Sequence, residues 1–251
     1  MMNVWIERMV LIVLAPLLVM QGRHTRKVTP KLPEPSGARE GSEGRNANGA
    51  VLKLLIAGDS AAAGVGVAHQ QDALAGQLVA ALSALTPEFD WRWKLVAQTG
   101  YTTHDLLKRL EHEPEEMFDV VVLSLGVNDV TGAVRTGTWL AQQRALLLLL
   151  QRRFGAKHVI VNCVPPMERF TALAQPLRAI LGMRARRFNT RLASVIDQWS
   201  GCELVRPTLP TGSEALADDG FHPGRLAYRD WAIHLAERIA NWAHVTRKPS
   251  T

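Results

Sequence analysis

Cysteine is nearly absent from this 251-residue sequence: Cys163 and Cys202 are the only two. Two thiols cannot build the disulfide framework of a small secreted scaffold, nor a multi-cysteine metal cluster. Aromatic residues are also sparse, at 6%, and neither sign of charge dominates. The net charge of +6 divides evenly: residues 1–50 hold seven Lys/Arg against four Asp/Glu, and residues 51–251 hold 22 against 19. A nucleic-acid footprint needs basic residues gathered on one face, and net charge alone does not supply that, so no nucleic-acid partner is expected. Apolar residues, by contrast, make up 47% of the chain. That is ample for a core and excludes collagen-like and largely disordered classes.

Long apolar runs are scarce as well. Residues 9–20 (MVLIVLAPLLVM) carry no charge and follow Glu7 and Arg8. A membrane span needs about 20 apolar residues, so a run this short reads as the core of a signal peptide or as an anchor. It ends Val19-Met20-Gln21-Gly22, a poor match to a small-x-small cleavage site, and Arg23, Arg26, Lys27 and Lys31 follow. Such basic residues tend to stay on the cytoplasmic side. Residues 1–22 are therefore expected to be a hydrophobic signal or anchor, with residues 4–22 giving membrane association or export and the side left open. Residues 23–50, with Pro30, Pro33, Pro35 and four glycines after residue 28, have the composition of a flexible linker. One globular domain is expected over residues 51–245.

Within that domain, apolar runs alternate with helical periodicity. Strands are expected over residues 51–57, 91–97, 120–125, 159–164 and 203–206. Helices are expected over 71–85, 103–110, 138–154 and 177–199, with a last one opened by Pro223 in its first turn. Strands alternating with helices predict an α/β fold: a single three-layer α/β/α domain with a flavodoxin-like parallel sheet. In such sheets the working site lies beyond the carboxyl ends of the strands. Those positions are polar here: Gly58-Asp59-Ser60, Thr99-Gly100, Gly126-Val127-Asn128-Asp129, and, before the last helix, Asp219-Gly220-Phe221-His222. A serine, a histidine, a carboxylate, an amide side chain and a glycine backbone on one rim are the parts that acyl transfer requires.

In these four motifs, and in their order, the sequence resembles the SGNH (GDSL-type) hydrolases over roughly residues 51–243. The resemblance implies that Ser60 is the nucleophile, His222 the general base and Asp219 its orienting carboxylate. It also implies an oxyanion hole made by the backbone amides of Ser60 and Gly100 with the side chain of Asn128. No metal or cofactor is implied. The substrates implied are small acyl esters or lysolipids, with thioesters and O-acetylated sugars as alternatives within the family. Ala61 stands where the family commonly has leucine, and Gly100 sits in an unremarkable Gln98-Thr99-Gly100-Tyr101 context.

Each motif alone has a plainer reading. Gly, Asp and Ser form turns anyway, Asn128-Asp129 resembles a cap, and Asp219 before a helix favours its dipole. Their joint placement on the rim outweighs these readings. The glycine-rich stretch after the first strand also suggests a non-catalytic nucleotide- or lipid-binding module, but Gly66-Val67-Ala68 lacks the Gly-Lys-Ser/Thr that a phosphate loop requires. The small residues Ala61, Ala62, Ala63 and Val65 suggest an apolar entrance beside Ser60, and residues 207–217 read as a cover or a plain loop.

Overall fold

The computed structural model describes residues 4–44, 50–207 and 215–246. The run at residues 51–57 becomes β2 (Ala50–Gly58), the strand about which the sheet is organised. Side chains alternate across a strand. Leu52, Leu54 and Ile56 accordingly enter one core, and Leu55 and Ala57 enter the other. Burial on both faces is why this strand reads as a continuous apolar run. The same division separates Val120 and Val122 from Val121 and Leu123 in β4 (Val120–Ser124).

β3 (Phe89–Ala97) and β4 flank β2, and β5 (His158–Asn162) and β6 (Cys202–Val205) extend the sheet beyond β4, all in parallel. Counted alone, the five parallel strands follow the doubly wound flavodoxin order 2-1-3-4-5. Helices α3 (Leu74–Leu85) and α8 (Arg225–Thr246) cover one face. Helices α4 (Thr103–Glu111), α6 (Thr136–Arg152) and α7 (Leu177–Ile196) cover the other, where Trp139 stacks on Phe188 at 4.3 Å. The fold is the expected three-layer α/β/α arrangement. Strand order reverses at β2, with β3 added on one side and β4 on the other, and this switch point locates the crevice.

The N-terminal segment differs from the expectation. The apolar run lies in α1 (Val4–Val28), which continues into what composition suggested was linker, and no helix among the described residues is long and apolar enough to cross a membrane. Further along that supposed linker, β1 (Glu40–Glu43) pairs antiparallel with β3 as a sixth strand. Just before it, the Arg39 guanidinium donates to the Ala97 carbonyl and pairs with Glu34 at 3.0 Å. Four hydrophilic residues suffice at a sheet edge, because one backbone ladder supplies the bonds and neither face needs burial. Pro223 also departs from its expected place: α8 starts at Arg225, and Pro223 instead bridges Leu216 in the preceding turn.

A chain trimmed to residues 51–251 loses β1 and the Glu34–Arg39 contacts. At about 1 kcal/mol net per hydrogen bond and roughly 2–4 °C per kcal/mol for a domain of this size, its thermal midpoint should fall by roughly 5–10 °C. A chain trimmed only to residues 30–251 keeps those contacts, and equal midpoints for the two in a calorimetric scan would show that β1 contributes nothing.

Candidate active site

β2 ends where its backbone comes against β4. A Cβ on Gly58 would lie 2.1 Å from the Ser124 carbonyl oxygen, so no side chain fits there. The next residue, Asp59, caps the four-residue helix α2 (Ser60–Ala63), its carboxylate accepting from the Ala61 amide at 3.1 Å. The turn closes at Gly64 in the left-handed conformation (φ +97°), whose amide donates to the Ser60 carbonyl. Ser60 is thereby held at the tip of β2, almost buried. Ala62, Ala63 and Val65 are fully buried in the core, so of the residues expected to form an apolar entrance only Ala61 borders the site. The short turn points inward beneath α3, which leaves room only for small side chains.

His222 reaches Ser60 from 162 positions away in sequence. Its Nε2 lies 2.9 Å from the Ser60 Oγ, and its Nδ1 lies 2.5 Å from the Asp219 Oδ2. With Nδ1–H donating to the carboxylate, Nε2 carries a lone pair that can accept a hydrogen bond from the Ser60 hydroxyl. The other Asp219 oxygen accepts the backbone amides of Phe221 and His222, each at 2.9 Å. Burial would raise the Asp219 carboxyl, but the His222 ring, those two amides and the His222 charge together hold it below the ordinary carboxylate range. Gly220, at φ +63°, turns the backbone between Asp219 and His222. Asp218, one residue earlier, faces solvent.

The remaining expected residues form a second group. Asn128 lies in the short helix α5 (Val127–Thr131), which Gly126 begins at φ +118°. A Cβ on Gly126 would meet Val164 at 2.6 Å. The Asn128 amide donates to the Tyr101 carbonyl at 2.9 Å; an amide nitrogen has two hydrogens, so a second donor is left for a ligand. Gly100 is exposed and occupies the third position of a turn closed by Tyr101 N–H to Gln98 C=O at 3.2 Å. Its φ of +89° is what that position of a type II turn demands of glycine. The Gln98 amide donates to the Gly58 carbonyl at 3.3 Å, which ties this turn to the Ser60 loop.

Two supports of this group were not foreseen. Asp129 is fully buried and accepts both the amide and the hydroxyl of Thr103, whose oxygen also accepts from Trp139 Nε1 and Gln143 Nε2. The network uses one donor and two acceptor sites of the hydroxyl, and it fixes α4 against α5. Glu34 accepts the amide and hydroxyl of Thr99 at 2.7 and 2.8 Å, so the supposed linker grips the Gly100 turn. The Asn-Asp pair was a visible signal for Asp129; nothing local marked Glu34.

A small cavity of about 50 Å³ adjoins Ser60 and His222, with mostly apolar walls that include Leu125, Val127, Phe170, Leu216, Phe221 and Trp231. Cys163 also borders it; burial pushes its thiol up, which leaves it protonated and unreactive. Among the described residues no group of three His, Cys, Asp or Glu could hold a metal ion. Residues 208–214 of the expected cover lie outside the described residues.

The model of the GDSL-like lipase/acylhydrolase family matches residues 56–229, well over half of the chain. The chain belongs to that family. A GDSL-like esterase of Mycobacterium tuberculosis is 28% identical over 234 residues, covering 84% of this chain and 72% of that protein. Among solved structures, a lipase from a goat rumen metagenome superposes with a TM-score of 0.59 at 17% identity, covering 76% of this chain and 98% of its own. A mutant of an acetyl-xylooligosaccharide esterase from Geobacillus superposes with a TM-score of 0.54 at 22% identity, covering 76% and 95%. These likenesses give the fold, and membership of the GDSL family makes this protein a carboxylic ester hydrolase. The non-catalytic binding-module reading is thereby set aside.

One buried group of the GDSL motif has a measurable signature. Burial pushes the Asp59 carboxyl up to about 7, despite the Ala61 amide and the His222 charge acting downwards. The unfolded chain gives up that proton near the ordinary value of 3.8, so stability falls as pH rises from about 4 to about 7 and levels off above. Asp59→Asn keeps the acceptor for Ala61 and cannot ionise. Relative to wild type it should gain on the order of 2–4 kcal/mol between pH 4.5 and 8 in urea unfolding. A pH-independent difference would mean that Asp59 is ionised throughout.

Proposed function

We propose that this GDSL-family esterase hydrolyses small carboxylic esters through an acyl-enzyme, with Ser60 as nucleophile, His222 as base and Asp219 as its orienting carboxylate. The observation that carries this reading is the continuous relay from Asp219 Oδ2 through the His222 ring to Ser60 Oγ, at 2.5 and 2.9 Å. As Ser60 Oγ attacks the ester carbon, His222 Nε2 takes its proton, and Asp219 stabilises the imidazolium that forms. Collapse of the tetrahedral intermediate expels the alcohol, which receives that proton from His222. A water molecule then repeats the sequence on the acyl-enzyme and restores Ser60. The oxyanion is held by the amides of Ser60 and Gly100 and by the free N–H of Asn128. The Ser60 amide belongs to the first turn of α2, where amides have no intrahelical acceptor.

The cavity supports a short acyl group. Its volume of about 50 Å³ is well below the roughly 150 Å³ that accommodates a benzene ring, and its apolar walls suit hydrocarbon better than a sugar hydroxyl.

The deciding experiment is intact-protein mass after treatment with a fluorophosphonate, on wild type and Ser60→Ala. One adduct on wild type and none on the variant is expected; no adduct on folded wild type would sink the serine mechanism. Asn128→Ala should lower kcat on p-nitrophenyl butyrate by about a hundredfold or more, since one oxyanion donor is worth roughly 3 kcal/mol. A loss under threefold would remove Asn128 from the oxyanion hole.

A further inference from the structure

Helix α1 is amphipathic in an unusual sense: its inner face is latched to the wall of the ester site and its outer face is bare. On the inner face Leu18 packs against the core beside α7. The Gln21 side chain donates to the Gln175 carbonyl at 2.6 Å and accepts the Leu177 amide at 3.2 Å, and Thr25 approaches the Ala172 carbonyl at 3.5 Å. That loop is part of the site: Phe170 walls the cavity and packs on Phe221 at 4.8 Å, and the Ala172 amide donates to the carbonyl of Gly220, between Asp219 and His222. Two short links thus separate α1 from the proposed acid–base pair.

The outer face changes character along its length. Ile12, Val13, Val19 and Met20 are 53–72% exposed, a density of bare apolar side chains matched nowhere else among the described residues. Arg23, Arg26 and Lys27 follow on the same exposed side, with Lys31 just past the helix end. No Asp or Glu occurs from residue 8 to residue 33. An apolar ridge continued by a basic band, on a helix that does not qualify as a membrane span, matches the surface that lies in a bilayer interface, apolar side chains among the acyl chains and cations on anionic headgroups.

We propose that α1 seats this enzyme on an anionic bilayer surface and, through the Gln21 latch, presents the cavity to esters held in that surface. The second half of the proposal rests on the ester-hydrolase reading above; the first half does not.

The test uses the full chain and vesicles of phosphatidylcholine with and without phosphatidylglycerol. Wild type should float with the anionic vesicles and be released by salt. The double variant Arg23→Glu/Lys27→Glu should bind them at least about tenfold more weakly, because each basic residue at such a surface is worth roughly fivefold in partitioning. It should still hydrolyse soluble p-nitrophenyl butyrate at the wild-type rate, which also certifies its fold. Gln21→Ala should keep both vesicle binding and the soluble rate. Its hydrolysis of hexadecyl butyrate in anionic vesicles should fall on the order of thirtyfold, the equivalent of the two hydrogen bonds that the Gln21 side chain makes.

Failure of wild type to bind anionic vesicles, or unchanged binding by the charge-reversal variant, overturns the bilayer partner. So does a monomer–dimer equilibrium that covers the ridge and leaves vesicles unbound. An unchanged vesicle-ester rate in Gln21→Ala overturns the latch. Absence of any soluble butyrate hydrolysis by wild type would instead refute the reaction, with vesicle flotation still judging the surface.

Discussion

The whole site depends on how closely β2 and β4 approach at Gly58. With 2.1 Å between an imagined Cβ and the Ser124 carbonyl oxygen, any side chain would push the two central strands apart. Because glycine lets them meet, the Asp59 amide can donate to the Ser124 carbonyl and the chain turns at once into α2. Ser60 therefore emerges at the switch point of the sheet, where a crevice must exist whatever the loops do. The other proposed catalytic residues come to it from elsewhere in the chain, His222 from 162 positions away.

Around that point the protein uses carboxylates in three different environments. Asp219 is surrounded by donors and stays ionised, as the role proposed for it requires. Asp59, next to Ser60 in the same crevice, has the Ala61 amide as donor, and its full burial pushes its carboxyl up to about 7. Asp129 is buried, which raises its carboxyl against the pull of the Thr103 amide and hydroxyl. Side-chain identity is the same in all three; the count of donors against the depth of burial sets the charge.

The alternation of strand and helix was readable because parallel strands covered on both faces must be apolar throughout, and helices covered on one face must be periodic. The four polar motifs were readable because the sheet rule says where to look. Boundaries moved by only a few residues, as at α3 and α6. What misled was composition taken as conformation: residues 34–44 are hydrophilic and rich in glycine, yet they form β1 and the Glu34 grip on the Gly100 turn. A sheet edge needs backbone bonds and a surface ion pair needs two opposite charges, neither of which leaves a hydrophobic pattern. Pro223 misled for a related reason: proline suits the first turn of a helix, and it suits the turn before one equally well.

Local chemistry by itself determined the residues on the rim: a serine after the first parallel strand, an Asn-Asp pair after the third, and an Asp-Gly-Phe-His turn before the last helix. It also determined that both faces of the sheet are covered, since no other arrangement buries such strands. Only the tertiary structure decided that His222 meets Ser60 across 162 positions, that Asp129 is tied to Thr103, and that α1 lies against the loop beside the cavity. Those contacts join segments far apart in sequence through hydrogen bonds of fixed direction and length, and periodicity carries no information about direction or length at such separations.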